Sequence, residues 1–228
     1  MIIDKANEVK KFYDKNYFPG PYSAEKVKNY QGKNRYIHFI LKSIRHSQCV
    51  LDAGCGTGFI TNYLAQTYPT KNFTGVDFAG SIDHAVKIKE ELNRPNLKFI
   101  KADLTKFETD QNFDAIICQG VLHHIPEYKQ TLARLKNLLS ANGIFVIGLY
   151  HPWGKMLQKL MPKAYHTQTL EVDQEEHPFE LSFWGKDVKK MFNGYRLIDS
   201  HPNVFLNYTN GGLTTYAFKK EDKNDQLD

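Results

Sequence analysis

The ten residues VLDAGCGTGF, Val50 to Phe59, decide the fold class of this chain. They begin as a short apolar run, reach an acid at Asp52, and then alternate three glycines with Cys55 and Thr57. Glycines weaken a regular element, so a run of them indicates a place where the backbone turns tightly or approaches a ligand. An apolar run before the glycines and a helical pattern after them predict a strand, a tight turn and a helix.

The same alternation continues along the chain in both directions. The apolar runs and their spacing predict strands at 49–54, 72–78, 97–103, 113–119 and 144–150, and helices at about 26–44, 57–68, 81–92, 128–143 and 186–194. Ser81 is the expected N-cap of its helix, and Gly143 and Gly194 are expected just after theirs. The segments YRLIDSHPNVF and LTTYAFKK predict two more strands, joined by LNYTNGG. Strands that alternate with helices predict an α/β fold with a mostly parallel sheet.

Length and composition predict one domain, from residue 1 to 220, followed by a charged and disordered tail at 221–228. Two segments lie outside the regular alternation: residues 1–44, and an insertion at 151–183 after the fifth strand. Both are rich in aromatic residues, among them Tyr13, Tyr17, Phe18, Tyr22, Trp153, Tyr165, His166, His177 and Phe179. Such segments are expected to form a lid over the site, where their rings either bind an acceptor or pack together.

Charge and cysteine content narrow the class of protein. The formal net charge of +5 is compatible with an anionic partner but does not require one. Three cysteines without a CxxC pair favour a reducing compartment, so the chain is predicted to be cytoplasmic. No run approaches the roughly 18 apolar residues of a membrane span, so no membrane partner is expected.

The glycine turn lies where an open α/β sheet binds its ligand, at the carboxyl ends of the strands. About twenty residues later Asp77 ends the second predicted strand, where a carboxylate can accept hydrogen bonds from ribose hydroxyls. The spacing G-x-G-x-G differs from the G-x-G-x-x-G of dinucleotide-binding enzymes. Asp52 would repel a pyrophosphate but suits a cationic cofactor that carries an amino acid. The pattern therefore disfavours a dehydrogenase.

Four stretches carry a resemblance to a known family. VLDAGCGTG resembles motif I of the class I S-adenosylmethionine-dependent methyltransferases; GVDFAGSIDHA and KADLTKF resemble their second and third motifs; and FDAIICQGVLHHIPE resembles the strand-four region of their small-molecule branch. The resemblance covers about residues 45–150. It implies a Rossmann-like, seven-stranded, mostly parallel sheet with helices on both faces and one antiparallel C-terminal strand, LTTYAFKK. It also implies S-adenosyl-L-methionine as the cofactor.

The resemblance also implies roles for individual residues in cofactor binding. The methionine end would meet Asp52, Gly54, Cys55, Gly56 and the backbone carbonyl of Gln119; the ribose would meet Asp77 beside Phe78; and the adenine would meet Asp103 and the backbone of Leu104. Four of these have a structural alternative. Asp52, Asp77 and Asp103 could cap local turns, and Cys55 could be a small residue in a tight loop without catalytic reactivity.

Two adjacent histidines, His123 and His124, follow the fourth predicted strand in QGVLHHIP. A histidine can take the proton that a hydroxyl or ammonium acceptor loses during methyl transfer. Either one is a candidate general base, and a structural role is the alternative for both. His151, after the fifth strand, could assist, bind substrate, or be a loop residue. Adjacent histidines without nearby carboxylates make a poor metal site, so no metal is expected.

The sequence therefore predicts an enzyme that transfers a methyl group from S-adenosylmethionine to an oxygen or nitrogen of a small molecule. Two alternatives stay open: an RNA-modifying methyltransferase, for which no RNA-binding module or basic tail is evident, and a cofactor-binding regulatory protein without turnover.

Overall fold

The computed structural model describes residues 2–153, 156, 177–201 and 212–221, with side chains from residue 7 onward. The predictions for most of the 151–183 insertion, including Tyr165 and His166, lie outside the described residues. The same holds for most of the connection LNYTNGG and for the tail after residue 221.

Helices and strands alternate through the central part of the chain. The described helices are α1 (Ile2–Lys15), α2 (Ala24–Lys28), α3 (Arg35–Ser43), α4 (Phe59–Thr67), α5 (Ser81–Glu91), α6 (Tyr128–Asn137) and α7 (Gly185–Met191). The strands are β1 (Cys49–Ala53), β2 (Asn72–Asp77), β3 (Leu97–Lys101), β4 (Phe113–Gln119), β5 (Leu139–Tyr150), β6 (Tyr195–His201) and β7 (Leu213–Lys220). A 3₁₀ turn, Leu122–His124, follows β4. Among the described residues, no helix has the length and apolar character that crossing a bilayer requires.

The strands form one seven-stranded sheet in the order β3-β2-β1-β4-β5-β7-β6. Neighbours among β1 to β5 pair in parallel, whereas β7 runs antiparallel to both β5 and β6. The sheet therefore has six parallel strands and one antiparallel strand, LTTYAFKK. The predicted fold class is confirmed.

The two faces of the sheet bury alternate residues of each central strand, because successive side chains point to opposite faces. In β1, Leu51 packs on the face covered by α6 and α7, and Val50 packs on the face covered by α3 and α4. In β4, Ile116 and Ile117 divide in the same way. The sheet thus lies between two layers of helices, with both faces buried.

One predicted helix, at about 26–44, is wrong, since the structure has two helices there. α2 ends at Lys28 and α3 begins at Arg35. Between them Gly32 has a φ of +62°, which a helix cannot contain, and Asn34 caps α3 by accepting a hydrogen bond from the backbone N–H of Tyr36. Apolar residues on both sides of the break follow helical spacing, so the sequence predicted one continuous helix.

The prediction of a helix over 128–143 overran its end. α6 stops at Asn137, and Leu139 already pairs with Phe113 of β4. Asn142, with a φ of +59°, takes the left-handed conformation, and both it and Gly143 lie inside β5. Leu138 and Leu139 continue the helical spacing in sequence, but pairing with β4 decides their conformation.

The start of α5 and the end of α7 also differ by a few residues from the prediction. Ser81 is the first residue of α5 and not its N-cap, which is Gly80. Gly194 has the expected left-handed conformation, with a φ of +78°, although α7 ends earlier, at Met191. These shifts do not change the sheet, whose carboxyl edge carries the residues considered next.

Candidate active site

The turn between β1 and α4 is built from glycines that no other residue could replace without strain. Gly54, Gly56 and Gly58 all have positive φ angles, of +83°, +55° and +75°. A Cβ atom added at Gly54 would lie 2.2 Å from Cγ2 of Val121, and one at Gly56 would lie 2.2 Å from the backbone oxygen of Phe18. The turn therefore needs glycine for both conformation and space.

Gly58 allows close packing at the start of α4. An added Cβ there would lie 2.6 Å from Cβ of Ala85 in α5 and 2.7 Å from Cζ of Phe99 in β3. The missing side chain lets the start of α4 approach both elements.

Asp77, at the carboxyl end of β2, holds the glycine turn in place. Its Oδ2 accepts a hydrogen bond from the backbone N–H of Gly56 at 2.8 Å, and its Oδ1 accepts one from Ala79 at 2.9 Å. Burial raises the pKa of this carboxyl, and the backbone N–H bonds partly offset the rise. Each carboxylate oxygen has two lone pairs, so further hydrogen bonds to a ligand remain possible.

Asp52 is buried beneath the turn and is only 5% exposed. Its Oδ2 accepts a hydrogen bond of 2.6 Å from Oγ1 of Thr61, which ties the end of β1 to α4. Burial raises the pKa of Asp52 to about 6, the Thr61 hydrogen bond lowers it, and the charge of Asp77 adds to the rise. Asp52 is not among the residues that line the cavity described next.

A cavity of about 490 Å³ lies at the carboxyl edge of the sheet. This volume is within the ~300–1,000 Å³ range of small-molecule sites. Eight of the residues predicted for the site line it: Gly54, Gly56, Asp77, Phe78, Asp103, Leu104, Gln119 and His124. The N-terminal segment adds Asn7, Val9, Lys10, Tyr13 and Phe18, which sequence reasoning did not assign to the cofactor site.

Asp103 caps a local turn and also lies on the cavity wall. Its Oδ1 accepts hydrogen bonds of 2.8 Å from both the backbone N–H and the hydroxyl of Thr105, so it caps the local turn. It is also exposed on the cavity wall. Gln119, at the end of β4, is held through its side chain, whose Nε2 donates to Oγ1 of Thr215 at 2.9 Å.

The three histidines occupy different environments. His124 lines the cavity, whereas His123 is fully buried with its ring 4.1 Å from that of Tyr150. His151 is not part of the cavity wall; its ring lies against Trp184, and burial lowers its pKa. Of the three, His124 is the one placed to meet a ligand in the cavity.

A hydrogen bond fixes the proton on the His124 ring. Its Nδ1 lies 3.0 Å from the backbone oxygen of Phe179. A carbonyl oxygen only accepts, so Nδ1 is the donor, and in the neutral ring Nε2 carries the lone pair. This tautomer follows from the geometry and not from the sequence, because the two residues are 55 positions apart.

Cys55 lies inside the turn and is 8% exposed, packed with Ile82, Ala85 and Phe99. Burial, together with the charges of Asp52 and Asp77, raises the pKa of its thiol well above the usual range. The thiol stays protonated near neutral pH, which agrees with the structural alternative for this residue. It is not among the residues that line the cavity.

Two residues of the 177–180 segment come close to His124. The rings of His124 and His177 are 4.5 Å apart, and a carboxylate oxygen of Glu180 lies within 4.8 Å of a nitrogen of each. The sequence predicted no such grouping, because no local pattern joins residues so far apart in the chain.

A family profile described as a methyltransferase domain matches residues 44–195, which is more than half of the chain. The chain belongs to this methyltransferase family. The predicted membership of the class I S-adenosylmethionine-dependent methyltransferases is thereby confirmed, and the family uses S-adenosylmethionine as its methyl donor.

Curated relatives match part of the chain. Malonyl-[acyl-carrier protein] O-methyltransferase of Acetivibrio thermocellus is 26% identical over 145 residues, which cover 62% of this chain and 49% of that protein. (S)-Coclaurine N-methyltransferase of Papaver somniferum is 28% identical over 131 residues, covering 57% and 35%. The chain thus spans half or less of the length of these two relatives.

A solved structure extends the likeness over nearly the whole chain. It is the 1,6-didemethyltoxoflavin-N1-methyltransferase of Burkholderia thailandensis, with 1,6-didemethyltoxoflavin and S-adenosylhomocysteine bound. Its TM-score is 0.70 at 16% identity, and the match covers 97% of this chain and 91% of that one. At this identity the likeness establishes the fold.

Proposed function

We propose that this chain is an S-adenosylmethionine-dependent methyltransferase that acts on an oxygen or nitrogen of a small-molecule acceptor. The observation that carries the proposal is a single cavity whose wall combines the glycine turn, the Asp77 carboxylate and His124. Family membership supports the reaction class, and the geometry of this cavity supports the assignment of roles below.

The cofactor fits the residues at one part of the wall. Gly54 and Gly56 leave the room that a side chain would fill, and Asp77 accepts the ribose hydroxyls through lone pairs beyond those used by Gly56 and Ala79. Asp103 and Leu104, the residues predicted to meet the adenine, also line the cavity, as does Phe78 beside the ribose position. The carboxylates of Asp77 and the deeper Asp52 favour a cationic ligand.

The cofactor supplies a methyl group on a positively charged sulfur, which is already a good leaving group. The chain therefore has to position the acceptor and accept its proton. Nε2 of His124 carries the lone pair for that task, since Nδ1 donates to the oxygen of Phe179. A hydroxyl acceptor would attack the methyl carbon as its proton passes to this nitrogen, whereas an ammonium acceptor would first give up a proton to it and then attack through the freed lone pair. In both cases the bond between sulfur and the methyl carbon breaks, and the cofactor leaves as the neutral thioether.

Several features favour a small acceptor over RNA. The wall beyond the cofactor residues includes Tyr13, Phe18, Val121 and Ile125, which suit an aromatic or apolar group. Lys10 and Lys106 are the basic residues in the described wall, which is less positive charge than an RNA backbone normally meets. Helix α1 covers the cavity, and we assign the N-terminal segment the role of a lid that excludes water.

The experiment that tests the proposal is an acceptor screen with S-adenosylmethionine. Release of S-adenosylhomocysteine is measured with panels of phenols, aliphatic alcohols, amines and carboxylic acids, and with unmodified tRNA, and the product is checked by mass for one added methyl group. Turnover with a small molecule supports the proposal. Turnover with tRNA alone would establish the RNA alternative, and cofactor binding without turnover on any panel would favour the regulatory alternative.

A further inference from the structure

Three side chains of metal-ligating type converge beside the cavity. His124, His177 and Glu180 each offer one ligand atom, and these atoms lie within 4.8 Å of one another. His124 is buried, and the other two are half-buried. Two imidazole nitrogens and one carboxylate oxygen form the ligand set found in several catalytic zinc sites, and also in non-haem iron sites.

The segment that supplies two of the ligands is fastened to the turn that supplies the third. The backbone N–H of Leu181 donates to the oxygen of His123 at 2.9 Å. The Nδ1–H of His124 donates to the oxygen of Phe179, which lies between His177 and Glu180 in the chain. These two hydrogen bonds fix the segment and the turn relative to each other.

The hydrogen bond to Phe179 also has the form that metal-binding histidines show. A metal-ligating histidine almost always donates its second ring N–H to a carboxylate, a backbone carbonyl or water, which orients the ring and fixes the tautomer. Here the backbone carbonyl of Phe179 takes that place at 3.0 Å. Nε2 of His124 is then the nitrogen with a lone pair for a metal.

Aromatic rings surround the cluster on the side of α1. The ring of Phe12 lies 4.9 Å from that of His177, and the ring of Tyr13 lies 5.8 Å from His124 and 6.0 Å from His177. An apolar shell of this kind limits the access of water and strengthens the attraction between a cation and its carboxylate.

We propose that His124, His177 and Glu180 bind a divalent transition metal, for which zinc is the best match to the ligands. Ligand atoms at about 2.1 Å from a tetrahedral metal lie roughly 3.4 Å apart, so binding needs only a small closure of the cluster. Three protein ligands leave a fourth position open. His124 lines the cavity, so that position is available to an oxygen or nitrogen of a bound acceptor.

The metal site does not depend on the proposed methyl transfer. If a metal is bound, however, His124 is a metal ligand during that reaction and not its general base. A metal on Nε2 takes the lone pair that a general base would use. In the metal-bound protein, the acceptor hydroxyl would instead lose its proton to water after binding to the metal, which acts as a Lewis acid.

The test is calorimetric titration of the chelator-treated chain with Zn²⁺. Mg²⁺, which prefers oxygen ligands, is titrated for comparison. The matched variants are Glu180→Gln, His177→Ala and, as a control, His38→Ala, which removes an exposed histidine of α3. We expect one Zn²⁺ per chain, tenfold or more weaker binding in each of the first two variants, and unchanged binding in the control.

Two results would overturn the inference: wild-type protein that binds no stoichiometric Zn²⁺, or Glu180→Gln and His177→Ala variants that bind it as wild type does. Glu180→Gln keeps the shape of the side chain, so it remains informative if His177→Ala does not fold. A spectroscopic measurement is independent of heat: Co²⁺ in a four-coordinate site should give strong visible absorption, and this should vanish in Glu180→Gln. Neither measurement involves S-adenosylmethionine. A negative result in both would therefore rule out the metal site and leave the proposed function unaffected.

Discussion

The backbone N–H of Gly56 donates a 2.8 Å hydrogen bond to Oδ2 of Asp77. This bond joins the two sequence features that define the site, since one residue lies in the glycine turn after β1 and the other ends β2. The bond therefore orients the carboxylate and keeps the glycine turn in its observed conformation. A site held in this way needs little reorganisation when a ligand binds.

Asp77→Asn should weaken binding of S-adenosylmethionine by about ten- to a hundredfold, because hydrogen bonds to a charged group contribute about 1.5–3 kcal/mol. The amide group also leaves one of the two N–H donors, of Gly56 or Ala79, facing another donor. Calorimetric titration measures the loss. Asp83→Asn is the matched control, since that side chain is 75% exposed on α5 and paired with Lys101 at the surface. Equal affinity of the two variants would contradict the assignment of Asp77 to the ribose.

Gly56→Ala should reduce both stability and cofactor affinity, because its Cβ would lie 2.2 Å from the backbone oxygen of Phe18. Gly194→Ala is the matched control: Gly194 has a φ of +78°, but an added Cβ meets nothing within 4 Å. Both variants carry the strain of a left-handed alanine, about 1–2 kcal/mol. Thermal melting should show a larger loss for Gly56→Ala, and equal losses would mean that the contact with Phe18 is unimportant.

Sequence reasoning predicted the sheet well because its strands carry local signals. Apolar runs that end in glycine or an acid mark β1, β2 and β4, and the motif resemblance supplied the antiparallel position of β7. One error lies where a tertiary contact overrides local spacing: Leu139 continues the pattern of α6 but pairs with Phe113. The other lies between α2 and α3, where Gly32 and Asn34 are local signals of a helix break, and the apolar spacing on both sides outweighed them in the prediction.

In the candidate site, too, local sequence patterns predicted some residues and missed others. Glycines and acids in motif order indicated Gly54, Gly56 and Asp77, which line the cavity. The tautomer of His124 and its closeness to Glu180 depend on a segment more than fifty positions away, which no local pattern announces. The cofactor-binding roles of all these residues stay predictions, and those of Asp52 and Cys55 have less support, because both residues are buried and do not line the cavity.

Asp52→Asn should stabilise the ligand-free protein at neutral pH and have less effect in acid. Burial raises the pKa of Asp52 from 3.8 to about 6, so the folded state holds its proton more tightly than the unfolded state. The stability associated with that proton is fully present below about pH 3.8 and is lost as the pH rises through 6. The difference between 3.8 and about 6 corresponds to about 3 kcal/mol.

Thermal melting of wild type and Asp52→Asn between pH 4.5 and about 7.5 checks this expectation. The advantage of the variant should grow with pH and level off above about pH 7. An advantage that is constant over this range, or that grows toward acid, would contradict the raised pKa.

His124→Gln should lower kcat by about a hundredfold or more once an acceptor is found, because the variant has no ring nitrogen to accept a proton or bind a metal. S-Adenosylmethionine affinity should change little, so single-turnover kinetics isolates the chemical step. His38→Gln, on the exposed face of α3, is the control. Prior treatment with a chelator separates the two roles of His124: a loss of wild-type turnover points to the metal, and unchanged turnover points to the general base. Unchanged turnover in His124→Gln would remove both roles.

Calorimetric titration of the purified protein with S-adenosylmethionine and S-adenosylhomocysteine, with NAD as the comparison ligand, tests most directly whether the cavity binds a methyl donor. We expect saturable binding of the first two, one per chain and in the micromolar range, and no binding of NAD, whose pyrophosphate would meet the acids behind the glycine turn. Failure of both sulfur compounds to bind, or binding of NAD at similar affinity, would show that this cavity is not a methyl-donor site.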